Sequence, residues 1–440
     1  MPNILLINPW IYDFVAYDLW SKPLGLLYLA GLFQKCGCQV SLIDCLDRYH
    51  PSLPAINEKR YGCGQYYWEK VEKPLLYQHI PRRYKRYGLP LDVFKQELLC
   101  IQKPEIIFVT SMMTYWYPGV FKAIKILREC FGGTPIVLGG VYATLCYEHA
   151  CKYSGADYVV KGKGEERCLK LIKELCKDSV EIPVEGKIYP AYNLFRCLKY
   201  VSMLTSYGCP YQCTYCASSQ LHPGFTQREP SMVIDEIEYY IQAFGVKHIA
   251  FYDDALLVNA QRHICIILEE VLRKGLNCYF HTPNGLHVRF IDKGLADLLY
   301  KANFKTIRLS LETSIENLQL RTGGKVCNLE FEQAILNLKE AGYNPYEIEV
   351  YVMCGLPGQK DTDVLESINY VARQGVMVRL VEFSPIPGTK EWLRAVTEFG
   401  FAPDVDPLLH NNSALPFQAR ESYQQLKNLV TAVNSRRLIS

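Results

Sequence analysis

The sequence predicts an α/β protein in two parts, an open doubly wound parallel sheet followed by an incomplete barrel of six βα units. Three observations predict it. Short apolar runs ending in small or polar residues alternate with helical stretches between residues 3 and 160. A stretch without clear periodicity, carrying Pro183, Gly186 and Pro190, interrupts the pattern, and six further apolar runs then follow. The 440 residues are 49% hydrophobic and 21% charged, enough to bury a core in each part.

In the first part the strands are expected at 3–8, 39–44, 105–110, 136–138 and 157–160, with helices at 23–34, 118–130 and 146–153 between them. Residues 50–100 are rich in Tyr, Arg and Pro and read as an irregular excursion. The domains are expected at 1–185 and 196–395. Strands of the second are placed at 200–205, 248–252, 278–281, 306–310, 347–353 and 378–383, with helices such as 231–243, 261–274 and 329–341. Residues 396–440 form a C-terminal extension with a Pro-rich stretch and an amphipathic helix at 421–433. In both architectures ligands gather beyond the carboxyl ends of the strands.

Composition excludes several classes of function. A formal charge of +3, with only Arg82, Arg83, Lys85 and Arg86 clustered, argues against nucleic acid as a partner. No apolar run is long enough to span a bilayer, and residues 1–9 lack a basic leader, so a cytoplasmic protein without a membrane partner is expected. Eighteen cysteines in such a chain read as reduced thiols and metal ligands, which suits a low-oxygen cell.

The sharpest signal is Tyr207-Gly208-Cys209-Pro210-Tyr211-Gln212-Cys213-Thr214-Tyr215-Cys216, directly after the first strand of the second domain. Three thiols in one short loop can wrap one metal centre with little loop-closure cost. Thiolates are the usual ligands of iron-sulfur clusters, and a 4Fe-4S cube with three protein ligands keeps one iron open for chemistry. The competing readings are a structural zinc site completed by His222 and a chance group of core thiols.

Cys-x3-Cys-x2-Cys with aromatic Tyr215 before the last cysteine resembles the signature of the radical S-adenosylmethionine (SAM) superfamily, and the resemblance extends over residues 200–390. It implies a partial TIM-type (β/α)6 barrel, a 4Fe-4S cluster on Cys209, Cys213 and Cys216, and SAM bound at the open iron. By the same resemblance, Asp253 and Asp254 lie near the methionine amino group, Ser310 and Glu312 near ribose or the methionine moiety, and Gly355, Pro357 and Gly358 near adenine. Each has a plainer reading, as helix caps, an ion-pair partner or an ordinary turn. His281, Asn284 and His287 lie on the same rim; each histidine reads first as a core or loop residue and second as a substrate contact. Cys354 reads as a buried core thiol.

The first domain resembles the Rossmann-like cobalamin-binding module of the cobalamin-dependent branch of that family. The matching segments are Ser111 to Gly119, Leu138-Gly139-Gly140-Val141-Tyr142-Ala143-Thr144 and Gly162-Lys163-Gly164-Glu165, each following a strand. The resemblance implies cofactor contacts from Ser111, Thr114, Tyr115, Gly139, Gly140, Thr144, Gly162 and Glu165, with Ser111, Thr114 and Thr144 as hydroxyl donors. The chain departs from many cobalamin domains in having Asn8-Pro9-Trp10-Ile11-Tyr12-Asp13 where they present a histidine to cobalt. A Rossmann-like domain that binds a nucleotide, or nothing, is the alternative, weakened by the lack of Gly-x-Gly-x-x-Gly after the first strand.

The resemblance therefore implies an enzyme transferring methyl from methylcobalamin to an unactivated carbon of a small-molecule or peptide substrate, with a low-potential electron donor of flavodoxin or ferredoxin type. Cyclisation or rearrangement is the alternative within the family, and a non-catalytic metal- or cobalamin-binding protein the alternative outside it. Methylthiotransfer fits less well, because Cys36, Cys38, Cys45 and Cys63 do not resemble the second ligand set such enzymes carry.

Overall fold

The computed structural model describes all residues except 56–57, 177–186, 403 and 436–440, and the side chains of 418–419. It divides into two compact units, Met1–Leu198 with Asp406–Ser413, and Lys199–Val405 with Ala414–Ser440. Pro183 and Gly186, on which the domain boundary was expected, lie outside the described residues.

In the first unit β1 (Asn3–Asn8), β2 (Gln39–Asp44), β3 (Ile106–Val109), β4 (Ile136–Leu138) and β5 (Tyr158–Val159) form a parallel sheet in the order β5-β4-β3-β1-β2. Every residue of β1 is buried because both faces are covered. Leu5 and Ile7 pack into one apolar cluster, and Ile4 and Leu6 into another on the opposite face. The helices doing the covering are α1 (Leu24–Lys35), α2 (Leu91–Leu99), α3 (Tyr117–Phe131) and α4 (Glu165–Leu175). The strand order reverses between β1 and β3, the kind of switch point at which doubly wound sheets generally bind ligands.

Residues 50–100 correct the expectation of an irregular excursion. Lys85–Tyr87 pairs antiparallel with both Ile11–Asp13 and Trp68–Lys70, and α2 follows. Aromatic burial supplies the reason: the rings of Phe14, Tyr77 and Tyr84 pack in tilted and edge-to-face contacts, their centroids 5.1–5.4 Å apart, and lie in the interior.

The second unit is a six-stranded parallel sheet, β6 (Tyr200–Met203), β7 (His248–Phe251), β8 (Tyr279–His281), β9 (Phe304–Glu312), β10 (Ile348–Cys354) and β11 (Met377–Glu382), hydrogen-bonded in sequence order. After β8 the chain bulges through residues 282–285, and Leu286–His287 then resumes pairing with β9. Helices connect the strands, among them α5 (Pro230–Phe244), α6 (Ile264–Arg273), α7 (Lys293–Lys301), α8 (Asn328–Glu340) and α9 (Asp361–Arg373). Alternation along the strands buries Ile307, Leu309, Ile348, Val350 and Val378 on the helix-covered face. The opposite face, which a (β/α) barrel turns inward, carries His281, Thr306, Arg308, Ser310, Glu349 and Tyr351.

The segment expected as a single C-terminal extension is divided. α10 (Lys390–Phe399) and α11 (Glu421–Ser435) belong to the second unit, whereas 406–413 belongs to the first.

Candidate active site

β6 runs into a short hairpin of Ser206–Gly208 with Phe225–Gln227, and the cysteine loop emerges from its first arm. Cys209 and Cys213 are partly buried, while Cys216 is exposed. Burial pushes the Cys209 thiol up to about 11, aided by the charges of Asp254, Cys213 and Cys216. Burial likewise raises Cys213. The Cys216 amide donates to the Cys213 carbonyl at 3.1 Å, and the Ser218 amide donates to the Cys216 sulfur at 3.5 Å.

Among the described residues no group of three His, Cys, Asp or Glu side chains is close enough to hold a single metal ion. A cube spreads its thiolates over separate iron corners, so its ligands stand farther apart than those around one ion. Cys209, Cys213 and Cys216 follow one another in a single loop, and among the described residues they form no single-ion site of the kind zinc needs. His222 sets its ring 6.2 Å from that of Tyr207.

Thr214, at the centre of the loop, is gripped from two sides. Its amide donates to the Thr322 carbonyl at 3.1 Å, its carbonyl accepts from the Glu391 amide at 3.0 Å, and its hydroxyl donates to Glu391 Oε1 at 2.8 Å. Glu391 is fully buried, and Arg394 donates to the same oxygen at 2.7 Å.

Asp254 is exposed beside the loop and accepts from the Ser218 hydroxyl at 2.5 Å. Asp253 is fully committed inward. Its carboxylate accepts from the Thr205 amide (3.0 Å), the Thr205 hydroxyl (2.7 Å) and the Ser206 hydroxyl (2.6 Å), and burial raises its pKa. This corrects the expectation of a cofactor contact: Asp253 fastens the base of the cysteine hairpin to the end of β7.

Glu312 ends β9 in the left-handed region at φ 61°, a strained conformation for a residue with a side chain. Its carboxylate pairs with Lys325 Nζ at 2.6 Å. Burial works to lower the pKa of Lys325, but the charge and hydrogen bond of Glu312 lead the opposing effects and the pKa is raised. Ser310 lies so close to Gly285 that a Cβ there would sit 1.9 Å from its hydroxyl oxygen.

Gly355 and Pro357 depart from the adenine-side expectation. A Cβ at Gly355 would meet the Phe417 ring at 2.3 Å, and the Pro357 carbonyl accepts from Arg321 at 2.9 Å, so protein groups occupy the close approaches.

On the inward face Glu349 accepts from Arg308 at 3.1 Å and from Arg379 at 2.5 Å, and the Tyr351 hydroxyl donates to the Pro283 carbonyl at 2.8 Å. His281 is buried, and that burial, with His248 3.0 Å away, pushes its pKa down to about 2; it is a neutral interior residue. His287 stacks on Tyr211 at 4.2 Å and Asn284 donates to the Tyr252 carbonyl at 2.9 Å, so both shape the rim. Cys354 is buried in β10.

In the first unit the structure brings Ser111, Gly139, Gly140, Thr144 and Gly162 together at the ends of β3, β4 and β5. The Ser111 hydroxyl donates to the Gly139 carbonyl at 2.7 Å, the Thr144 hydroxyl donates to the Gly140 carbonyl at 2.8 Å, and the Gly162 amide donates to Thr144 at 3.1 Å. The expected hydroxyl donors therefore stitch loop to loop. Gly140, at φ 95°, is required: a Cβ would lie 2.2 Å from the Ser111 carbonyl oxygen. Open space remains beside the other two glycines. A Cβ at Gly162 would meet nothing within 4 Å, and one at Gly139 only the Val160 carbonyl oxygen at 3.9 Å. Thr114 pairs with His410 Nδ1 at 3.1 Å, Tyr115 is buried with its ring 6.0 Å from that of Trp116, and Glu165 opens α4 in solvent.

Sequence reading missed Thr214, Thr322, Lys325 and Glu391. The one local signal is Thr322-Gly323-Gly324-Lys325, a turn whose neighbour in space no spacing discloses.

Residues 203–371 match the Radical SAM superfamily, which implies a 4Fe-4S cluster and SAM as cofactors. The chain is 22% identical over 345 residues to an uncharacterized methyltransferase of Pyrococcus horikoshii, covering 70% of this chain and 74% of that one. It is 20% identical to cytidylyl-2-hydroxyethylphosphonate methyltransferase of Streptomyces wedmorensis, covering 92% of this chain and 83% of that one. It is 23% identical to anaerobic magnesium-protoporphyrin IX monomethyl ester cyclase of Rubrivivax gelatinosus, of which it spans 51%, with 56% of this chain. Its fold is similar to that of the radical S-adenosylmethionine methyltransferase TsrM from Kitasatospora setae, solved with cobalamin and a [4Fe-4S] cluster (TM-score 0.68, 16% identity, 98% of this chain and 89% of that one). A further likeness is to the cobalamin-dependent S-adenosylmethionine radical enzyme OxsB (TM-score 0.60, 14% identity, 90% and 55%). Among the described residues no helix is long and apolar enough to cross a membrane.

Proposed function

The chain carries a radical SAM domain at residues 203–371, and from that premise we propose that it is a cobalamin-dependent radical SAM methyltransferase acting on a polar small molecule or peptide. The observation that carries this reading is the set of Cys209, Cys213 and Cys216 in one loop on the carboxyl rim of the parallel barrel, preceded by a doubly wound unit. A cluster and SAM bound there supply one-electron cleavage of the sulfonium, and methylcobalamin supplies a methyl group that carbon-centred radicals can take.

The chain's own residues hold and orient. Cys209, Cys213 and Cys216 would hold the cluster and would leave one of its irons to a ligand from outside the protein. Asp254, backed by Ser218, would accept from the amino group of SAM, with Ser310 and Glu312 at the end of β9, two strands along the sheet. The loops of Ser111, Thr114, Tyr115, Gly139, Gly140, Thr144, Gly162 and Glu165 offer a corrin or its nucleotide tail the open space beside Gly139 and Gly162. The polar inward face of the barrel favours a polar substrate over a hydrocarbon. A low-potential flavodoxin- or ferredoxin-type protein supplies the electron.

Anaerobic reconstitution tests the reading. The full chain should take up iron and sulfide, convert SAM to 5′-deoxyadenosine when reduced, and retain hydroxocobalamin through gel filtration. Cys209→Ala should abolish 5′-deoxyadenosine formation; undiminished formation in that variant would sink the ligand assignment. Label from methyl-labelled SAM should appear in a product of host extract. Cyclisation is a second reading, favoured by the similarity to the Rubrivivax cyclase, and a product without label separates it.

A further inference from the structure

The loop Thr322–Lys325 is moulded onto the cysteine loop. The Thr322 carbonyl accepts from the Thr214 amide at 3.1 Å. Gly323, at φ 125°, lies so close that a Cβ would stand 3.1 Å from Cys213 Cα and 3.3 Å from the Gln212 carbonyl oxygen. Arg289 donates to the Gly324 carbonyl at 3.3 Å and to Glu330 at 2.8 Å, holding the turn from outside. This backbone delivers Lys325 into the site. Its side chain is 12% exposed, its ammonium is 2.6 Å from Glu312, itself 11% exposed, and it lies 5.9 Å from the centre of the Tyr215 ring. Tyr215 lies between Cys213 and Cys216, so Lys325 stands beside the cysteine loop itself.

A buried lysine is costly unless its charge is used, and a surface lysine would have satisfied solubility. Here the carboxylate that fixes it sits on a strained residue, which points to a demand for the ammonium at this position. The demand is electrostatic. Three thiolates around an iron-sulfur cube leave it negatively charged, and each electron it receives adds one more negative charge in a partly buried loop.

We propose that Lys325 is the built-in cation of the cysteine loop, held by Glu312, and that it sets how readily a cluster on Cys209, Cys213 and Cys216 accepts its electron. It is a positioning residue, acting through charge. One electron passes from the low-potential donor protein to the cluster; no bond breaks and no proton moves. The inference rests on the proposed function, because it needs the cluster.

The test is a redox titration of the reconstituted full chain without SAM, followed by electron paramagnetic resonance of the reduced cluster. Lys325→Met should lower the midpoint potential, Lys325→Arg should restore it towards wild type, and Glu312→Gln should raise it, because that change removes negative charge while leaving the lysine. Midpoints equal to wild type in both Lys325→Met and Glu312→Gln, or shifts of one sign in both, would overturn the proposal. If Lys325→Met fails to retain iron, Glu312→Gln still decides: a higher potential supports the proposal, and an unchanged or lower one refutes it. A wild-type chain that takes up no iron would sink the proposed function as well, a result distinct from unchanged potentials.

Discussion

The carboxylate of Asp253 takes all its hydrogen bonds from Thr205 and Ser206, out of contact with solvent, and those residues lead directly into the cysteine hairpin. Removing it strands three buried donors, so Asp253→Ala should lower unfolding stability by ~3 kcal/mol. Urea denaturation with iron analysis checks this, and a variant of native stability would show the network dispensable. Asp44 is a second buried carboxyl, at the end of β2. Burial at the end of β2 raises its pKa to about 6, although Asn8 and the Leu46 amide donate to it. The native state thus keeps a proton that the unfolded chain loses near pH 4, and stability falls as pH rises from there through 6. Asp44→Asn keeps the acceptor without the charge. It should match wild type near pH 3, below the unfolded pKa, and exceed it by about 3 kcal/mol near pH 8; an equal difference at both pH values would contradict the assignment.

At the scale of elements, the barrel is open, so β11 is an edge strand with backbone groups to satisfy. α11 supplies the solution. The Asn434 side chain accepts from the Val378 amide at 3.0 Å and donates to its carbonyl at 2.9 Å, taking the place of a neighbouring strand. Asn434→Ala should cost ~1–2 kcal/mol by leaving both groups unpaired. It should also increase self-association, seen by light scattering; a monodisperse variant of native stability would show that the edge needs no cap. The same logic of completion runs through the ends of β3, β4 and β5. There the Ser111 hydroxyl donates to the neighbouring loop at Gly139, and the Thr144 hydroxyl donates to Gly140 of its own loop while accepting from Gly162 of the next, fixing the glycine-lined space.

For the whole molecule, chain order and spatial units disagree. Residues 406–413 come late in the sequence yet complete the first unit. Within it, Asp406 accepts from Tyr117 at 3.0 Å, the Leu408 carbonyl accepts from Tyr77 at 2.6 Å, Asn411 donates to Asp13 at 2.9 Å and Ser413 accepts from Arg82 at 2.8 Å. A fragment of residues 1–198 lacks these partners. Adding a peptide spanning 404–415 at saturating concentration should stabilise that fragment by about 2 kcal/mol or more. No shift in its urea midpoint would show that the segment contributes nothing there.

Hydrophobic periodicity and thiol spacing are local properties, and by themselves they determined the two α/β parts, the parallel strands and the Cys209, Cys213, Cys216 loop. The same locality explains the failures. The tyrosines of 50–100 signal no period, because their partners are other aromatics dispersed along the chain rather than a regular face. Asp253 and Asp254 are neighbours in sequence with opposite tasks, one turned into the hairpin and the other towards the cysteines, and only the direction of each side chain in space separates them. Glu312 and Lys325 meet through a turn, and Thr214 and Glu391 are 177 residues apart. Tertiary structure decided these pairings, because a buried charge or hydroxyl is satisfied by whatever the fold brings within about 3 Å, and that distance carries no trace in the order of the residues.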